Sequence, residues 1–455
     1  MKVAIIGAGW AGCAAAVEAS RLGHQVTLYE AARVGGGRAR RVDGLLGGAA
    51  VALDNGQHIL IGAYTETLRL MEAVGIATAS ALLRMPLTLQ FPDGDGLQFQ
   101  VLASPFDALH AIATARGWTW RDRLSLLGRA WRWRSARFEC PATQSVADLC
   151  AGLTPTVMAT LIEPLCVSAL NTPGSRASGQ VFLRVLQDAL FQGSGRSNLL
   201  LPRVDLSALF PEAALGWLTA HGAQVRLGER VQALEPSGAG WAVSTNRRAL
   251  DTASEATREA AEDPQYFDRV VLACPVAQSI RLVRASGADS GEWQALASSL
   301  SHEALTTVYT YASGPHDPTG ATLKQPMLAL RSDASCPAQF VFDRGQLGGP
   351  AGLLAFVISA SEGDGAALTQ RVLAQAGTQL GLQVQPVQTV VEKRATFSCT
   401  PGLQRPPTYV AAALLACGDY IAGPYPATLE GAVRSGLEAA RDLPLNGPRP
   451  PPSRY

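Results

Sequence analysis

Lysine is almost missing from this chain of 455 residues: Lys2, Lys324 and Lys393 stand alone, and arginine supplies the rest of the 38 basic residues. The 37 acidic residues leave a net charge of +1, so no overall field points to nucleic acid or to a strongly acidic partner. Charged residues are only 16% of the chain and hydrophobic ones 47%, enough apolar material for two or three domains with substantial cores. Cys13, Cys140, Cys150, Cys166, Cys274, Cys336, Cys399 and Cys417 include no C-x-x-C pair, and no H-E-x-x-H spacing occurs. Nothing therefore points to a metal site. Scattered cysteines with mostly apolar neighbours are expected to be reduced core residues of a cytoplasmic protein. No apolar run approaches the roughly 20 residues of a membrane span; the longest, such as Val410 to Cys417, have strand length. Lys2 and the apolar residues after it resemble a secretory leader, but Gly7, Gly9 and Gly12 break the run, and a strand pattern follows.

What is present is order at the N-terminus. Lys2 to Ile6 reads as a strand, Trp10 to Leu22 as a helix and Gln25 to Tyr29 as a second strand. Mostly helical patterns, rich in Trp and Leu, fill residues 83 to 199. Strand patterns return at Gln224–Leu227, Trp241–Ser244, Val270–Ala273, Leu305–Tyr311 and Leu353–Ser359. A helix is expected at Ala366–Leu380 and a last strand–turn–helix unit over Ala411–Arg441. The polar insert Thr245–Asp268 reads as an exposed loop or short helix, and Gly345–Gly352 as a hairpin.

Between the first strand and helix lies G-x-G-x-x-G, written Gly7, Ala8, Gly9, Trp10, Ala11, Gly12. Gly7 permits the tight turn, Gly9 lets backbone approach a pyrophosphate, and Gly12 lets helix and strand pack closely. The helix N-terminus adds unpaired N–H groups. Glu30, followed by Ala31, ends the second strand where a carboxylate can bind ribose hydroxyls. Alone the glycine pattern is weak; its place after a strand, with Glu30 beyond, strengthens it.

The run Glu30, Ala31, Ala32, Arg33, Val34, Gly35, Gly36, Gly37, Arg38 resembles the E-x(5)-G-G-R signature of the amine-oxidase/phytoene-desaturase flavoproteins. The resemblance implies FAD, with Gly36 and Gly37 running beneath it and Arg38 facing its phosphates. Cys417, Gly418 and Asp419, with the segment Tyr425 to Gly436, resemble the family's G-D motif and the helix start under the flavin. By that likeness Asp419 binds the ribityl or pyrophosphate region, and the backbone at Leu429 and Ala432 meets the isoalloxazine. Glu229, Arg230 and Val231 resemble the strand whose valine contacts adenine, and Val270 to Pro275 the strand beside it.

The stretch Asp54, Asn55, Gly56, Gln57, His58, with Arg394 to Phe397 and Tyr425 to Glu430, is similar to the hydroxysqualene dehydroxylase branch of that superfamily. The likeness spans nearly the whole chain and implies reductive dehydroxylation of a squalene precursor in bacterial hopanoid and squalene synthesis. Gly56, Gln57 and His58 would pass the flavin. Asp54 and His58 would help a hydroxyl leave, or would only hydrogen-bond backbone and cofactor and hold the loop. The implied fold is α/β: a Rossmann-like, glutathione-reductase-type FAD domain from residues 1–82, 200–290 and 395–445. An inserted α+β substrate domain takes 83–199 and 291–394, and a disordered tail 446–455. The implied partners are a hydrophobic isoprenoid substrate and a reductant the sequence does not identify.

Two rivals share the scaffold. A carotenoid-type desaturase removes hydride from a polyene. An amine oxidase usually carries a lysine near flavin N5, and the corresponding stretch, Ala304 to Tyr309, has none. A non-catalytic flavin or isoprenoid carrier is the alternative from another class. Trp120, Leu124, Leu127 and Trp131 fall at i, i+4, i+7 and i+11 among Arg121, Arg123, Arg129, Arg132 and Arg134. Such a stripe either packs on the core or lies in a membrane interface, which would place the protein at the inner face of the cytoplasmic membrane.

Overall fold

The computed structural model describes residues 1–100, 102, 106–190, 193, 195–250, 257–261, 263–313 and 321–444. Its organising sheet has six strands in the order Gln224–Leu227, Gln25–Glu30, Lys2–Ile6, Arg269–Leu272, Leu414–Ala416 and Tyr409–Ala411. All are parallel except the last, which pairs antiparallel at the edge. Val3, Ala4, Ile5, Val270, Val271 and Leu272 are wholly buried, as expected of parallel strands covered on both faces. Three remote stretches of chain thus form one doubly wound, Rossmann-like sheet.

Small residues fix what packs on it. The helix Trp10–Arg21 carries Cys13, Ala14, Ala15 and Ala16 at zero exposure, and it lies against the final helix, Leu429–Arg441. A Cβ on Gly436 would overlap the carbonyl oxygen of Ala11, and one on Gly12 would overlap that of Gly7. Backbone therefore touches backbone at both crossings.

A second, five-stranded antiparallel sheet runs Met327–Ala329, Phe340–Asp343, Leu353–Ser359, His302–Ala312 and Val384–Phe397. Its sequence partner Gly345–Gly352 does turn a hairpin, through a short 3-10 segment at Arg344–Leu347. Helices from Phe106 to Leu190 lie between short strand pairs, so the stretch after residue 83 opens with strands at Thr88–Gln90 and Gly96–Gln98 before it becomes helical.

The expectation of a loop or short helix over Thr245–Asp268 is corrected for the described residues, which are mostly strand. Gly240–Leu250 pairs antiparallel with Thr257–Ala261 and with Gln265–Phe267. Its polar alternation reflects a ribbon extended from the sheet begun by Glu229–Ser237. Residues 251–256 and 262 of the insert and the tail 446–455 lie outside the described residues. All eight cysteines are free thiols.

Gly436→Ala should force the first and last helices apart. We expect a loss of about 1–3 kcal/mol, the usual cost of overpacking, read as a lower melting temperature of the holoprotein. An unchanged melting temperature would show that the crossing can widen freely.

Candidate functional site

A cavity of about 860 Å³ joins the two sheets. Gly9, Trp10, Ala11, Glu30, Ala31, Gly36 and Gly37 line it where the first strand meets the first helix. Gly7 and Gly12 are required by the protein itself: Gly7 has φ +114°, with Ala273 O 2.7 Å from where a Cβ would sit. Gly9 is different. A Cβ there would find no protein atom nearer than Gly37 Cα at 3.8 Å, so the space before it is open. The helix beginning at Trp10 has no side-chain cap. Open space before uncapped helix N–H groups fits the pyrophosphate of a dinucleotide.

Glu30 is built in firmly. The Ala8 N–H donates to one carboxylate oxygen and the Ala32 N–H to the other, each at 2.8 Å. Each oxygen keeps a second lone pair for a hydroxyl. The Gly36 N–H donates to Ala8 O at 2.8 Å, and Trp10 Nε1–H to Ala39 O at 3.0 Å, which lock the two glycine turns together. Ala8 and Gly12 shape these turns without lining the cavity, and Gly56, beside His58 with φ +145°, does not line it either. Val231, buried at 3% exposure, does line it.

Arg38 faces the cavity, but its guanidinium has a partner already. It donates to Asp419 Oδ1 at 2.5 Å and to Ala395 O at 2.6 Å. The motif's arginine and its aspartate are therefore one ion pair of zero net charge. Asn55 Nδ2 donates to Arg38 O and to Glu392 Oε2, both at 2.9 Å, which ties in a third segment. Gly418 approaches with φ +154°, and a Cβ there would meet the Tyr420 ring at 2.7 Å. Beyond Asp419 the chain passes Tyr425 and Ala427, at φ +58° and +57°, into the last helix. Non-glycine residues rarely hold such angles without a constraint. Thr428 caps that helix through the Gly431 N–H at 3.0 Å, and Leu429 and Ala432 line the cavity.

Of the expected catalytic pair, only His58 lines the cavity, and Asp54 does not. Asp54 Oδ1 accepts the Leu206 N–H at 2.8 Å, and Arg344 stands 4.0 Å from Oδ2. Tyr309 OH accepts from Asp54 N at 2.9 Å and Gln57 Nε2 at 2.8 Å, and donates to Asp54 O at 2.9 Å. Arg344 also donates to Gln57 Oε1 at 3.3 Å. Of the two roles expected for Asp54, these contacts agree with the one that holds the loop: its polar network draws the carboxyl inward, away from the cavity. Burial pushes its pKa up to about 6, against the pull of Arg344 and the Leu206 N–H.

His58 Nδ1 lies 3.1 Å from Gly56 O, which assigns the proton to Nδ1 and leaves Nε2 open. Burial, and then the charge of Arg38, hold the imidazole below its ordinary pKa, so it is neutral near pH 7.

The rest of the lining sets apolar side chains, Val167 from the helix Glu163–Leu170 with Leu305, Phe340, Phe342 and Val357 from the five-stranded sheet, beside polar ones, Ser168, Asn171, His302, Ser359 and Thr396. Asn171, at φ +46°, ends that helix, donates to Thr396 Oγ1 at 3.0 Å and accepts the Ala360 N–H at 2.9 Å. No lysine lines the cavity. Sequence reasoning missed Tyr309, Arg344, Asn171 and Glu392, which carry no motif. It also gave no role to Glu430, wholly buried, which accepts from Glu66 N, Thr67 N and Oγ1, and Arg434 Nε. Glu430 caps the helix Thr65–Ala73 and so fixes the loop that carries His58.

Turn, strand edge and helix start converge here on a cradle that fits a flavin cofactor. The family profile described as flavin containing amine oxidoreductase matches residues 10–444, and the chain belongs to that family: it is a flavin-dependent oxidoreductase. A hydroxysqualene dehydroxylase from Rhodopseudomonas palustris is 27% identical, with 97% of this chain and 98% of the relative covered. A zeta-carotene desaturase from Synechocystis is 35% identical over only 28% of this chain and 26% of its own. The solved structure of an oxidoreductase from Methanosarcina mazei shares the fold, with a TM-score of 0.66 at 15% identity, covering 97% of this chain and all (100%) of its own. Among the described residues no group of His, Cys, Asp and Glu could hold a metal ion, and no helix is long and apolar enough to cross a membrane.

Asp54→Asn should change how stability varies with pH. A folded pKa near 6 lies above the unfolded value of about 3.9. The carboxyl's stabilising contribution is therefore complete below pH 4 and fades as pH rises through 6. Relative to the parent, the variant should gain up to about 2–3 kcal/mol between pH 4 and 7. Parallel melting-temperature profiles would contradict this.

Proposed function

We propose that the flavin is FAD and that the enzyme reductively dehydroxylates hydroxysqualene to squalene. The observation that carries the reading is one cavity in which a dinucleotide cradle opens onto an apolar compartment without a lysine. The cradle suits FAD, with Glu30 accepting from the adenosine ribose, Val231 beside adenine and the uncapped helix at Gly9 facing pyrophosphate. Asp419, held by Arg38, serves the middle of the cofactor, and the helix start at Leu429 and Ala432 serves the ring end. Similarity to a hydroxysqualene dehydroxylase over nearly both full chains supports the substrate class.

Bound in its reduced form, FAD supplies the hydride. The chain's own residues do the rest. Val167, Leu305, Phe340 and Phe342 hold the hydrocarbon and exclude water, so that the allylic carbon left when the C–O bond breaks is not recaptured. The departing hydroxyl takes up a proton and leaves as water. We assign that proton to His58 Nε2: bare near pH 7, it takes up a proton from solvent, and because burial disfavours the charged ring the imidazolium gives that proton to the departing hydroxyl more readily than a free histidinium would. Asp54, Tyr309 and Gln57 position the loop that carries it. No second G-x-G-x-x-G occurs in the sequence, so the reductant brings no dinucleotide unit on this chain. A carotenoid-type desaturase is the second reading, favoured by the partial match to a zeta-carotene desaturase.

Photoreduced protein incubated anaerobically with hydroxysqualene should yield squalene and re-oxidised flavin, whereas oxidised protein should yield none. Polyene formation from a more saturated isoprenoid by the oxidised protein, with no squalene in the first assay, would select the desaturase instead. Glu30→Ala should weaken FAD retention by about 1.5–3 kcal/mol, roughly 10- to 100-fold, because a charged acceptor is lost. Turnover at saturating FAD should change little. Unaltered retention with collapsed turnover would refute this placement of Glu30.

A further inference from the structure

The helix Trp120–Ser135 turns its apolar stripe away from the protein. Trp120 is 75%, Leu124 65% and Trp131 70% exposed, while Asp122, Leu126 and Trp133 face inward. At about 100° per residue the exposed trio spans roughly 40° of the helix, opposite the buried trio. Core packing therefore does not explain the stripe. The preceding helix, Phe106–Thr114, adds exposed Phe106 and Leu109.

The charges around the stripe have one sign. Residues 116–137 contain seven arginines and one acid, Asp122, which is buried and bonded to Thr119 and Thr154. Arg123 is committed to the carbonyls of Ile112, Ala115 and Trp118. Arg121, Arg132 and Arg134 are exposed and flank the stripe on either side.

We propose that this helix is a docking surface for an anionic lipid bilayer. A long exposed helix with tryptophans at one depth, about 16 Å apart along its axis, can lie flat at the headgroup level, with arginines reaching phosphates on both flanks. A second copy of this chain would set like charges against each other. The surface also has a mechanical link to the cavity. Asp122 accepts from Thr154 Oγ1 at 2.5 Å, and Trp118 Nε1 donates to Thr160 Oγ1 at 2.9 Å. Both partners belong to the chain that runs on through Glu163–Leu170, where Val167, Ser168 and Ala169 line the cavity. Docking thus brings the wall of the apolar compartment to the bilayer, where a water-insoluble substrate resides.

The test is flotation of the holoprotein with phosphatidylcholine vesicles, with and without phosphatidylglycerol. It needs no turnover, so its outcome is independent of the dehydroxylation reading. The parent should float with the anionic vesicles, and added salt should weaken this. The triple variant Trp120→Ser, Leu124→Ser, Trp131→Ser should lose at least about tenfold in binding, with flavin content and melting temperature unchanged because none of the three is buried. Arg121→Gln, Arg132→Gln, Arg134→Gln should remove most of the preference for anionic lipid and its salt dependence. Absence of binding by the parent, or undiminished binding by both variants, would overturn the proposal. So would self-association of the parent, abolished in the triple variant, without vesicle binding: that result would assign the stripe to a second copy of the chain.

Discussion

Backbone contacts with no room for a Cβ hold the first helix in place, and the site depends on where that helix starts. Gly12 lies on Gly7 O and Gly436 on Ala11 O, so the helix Trp10–Arg21 is clamped between a turn and the last helix. Its uncapped N-terminus then faces an open space beside Gly9 rather than protein. A larger residue at either crossing would move the helix, and with it both the N–H groups and the last helix that crosses it. Dense alanine on this helix follows from the same constraint, because only small side chains permit so close an approach.

Polar contacts do for the loops what close packing does for the helices. Glu30 bridges the Ala8 and Ala32 N–H groups, Arg38 joins Asp419 and the Ala395 carbonyl, and Asn55 joins Arg38 to Glu392. Glu430 ties the cofactor helix to the helix that follows the His58 loop. Glu30 acts locally, whereas Arg38, Asn55 and Glu430 bring together stretches hundreds of residues apart. Buried charges are costly alone and tolerable when bonded, so each pair specifies one arrangement. The cavity is left with charged residues of both signs and a largely apolar far wall.

The sequence by itself determined the central βαβ unit, the class of cofactor motif and the surrounding strand segments. It could do so because those features are local: a glycine at a fixed offset, a carboxylate at a strand end, an alternation of apolar residues. Only the tertiary structure decided that Arg38 is spent on Asp419, that Asp54 turns inward to Leu206 N while His58 stays on the cavity, and that Tyr309 and Arg344 organise the loop between them. It also decided that the described residues of the insert 245–268 are mostly strand and that the Trp120 stripe faces outward. The contacts of Arg38, Asp54, Tyr309 and Arg344 turn on partners far away along the chain. Periodicity shows that a helix has an apolar face, yet it carries no information about which side the rest of the molecule will cover.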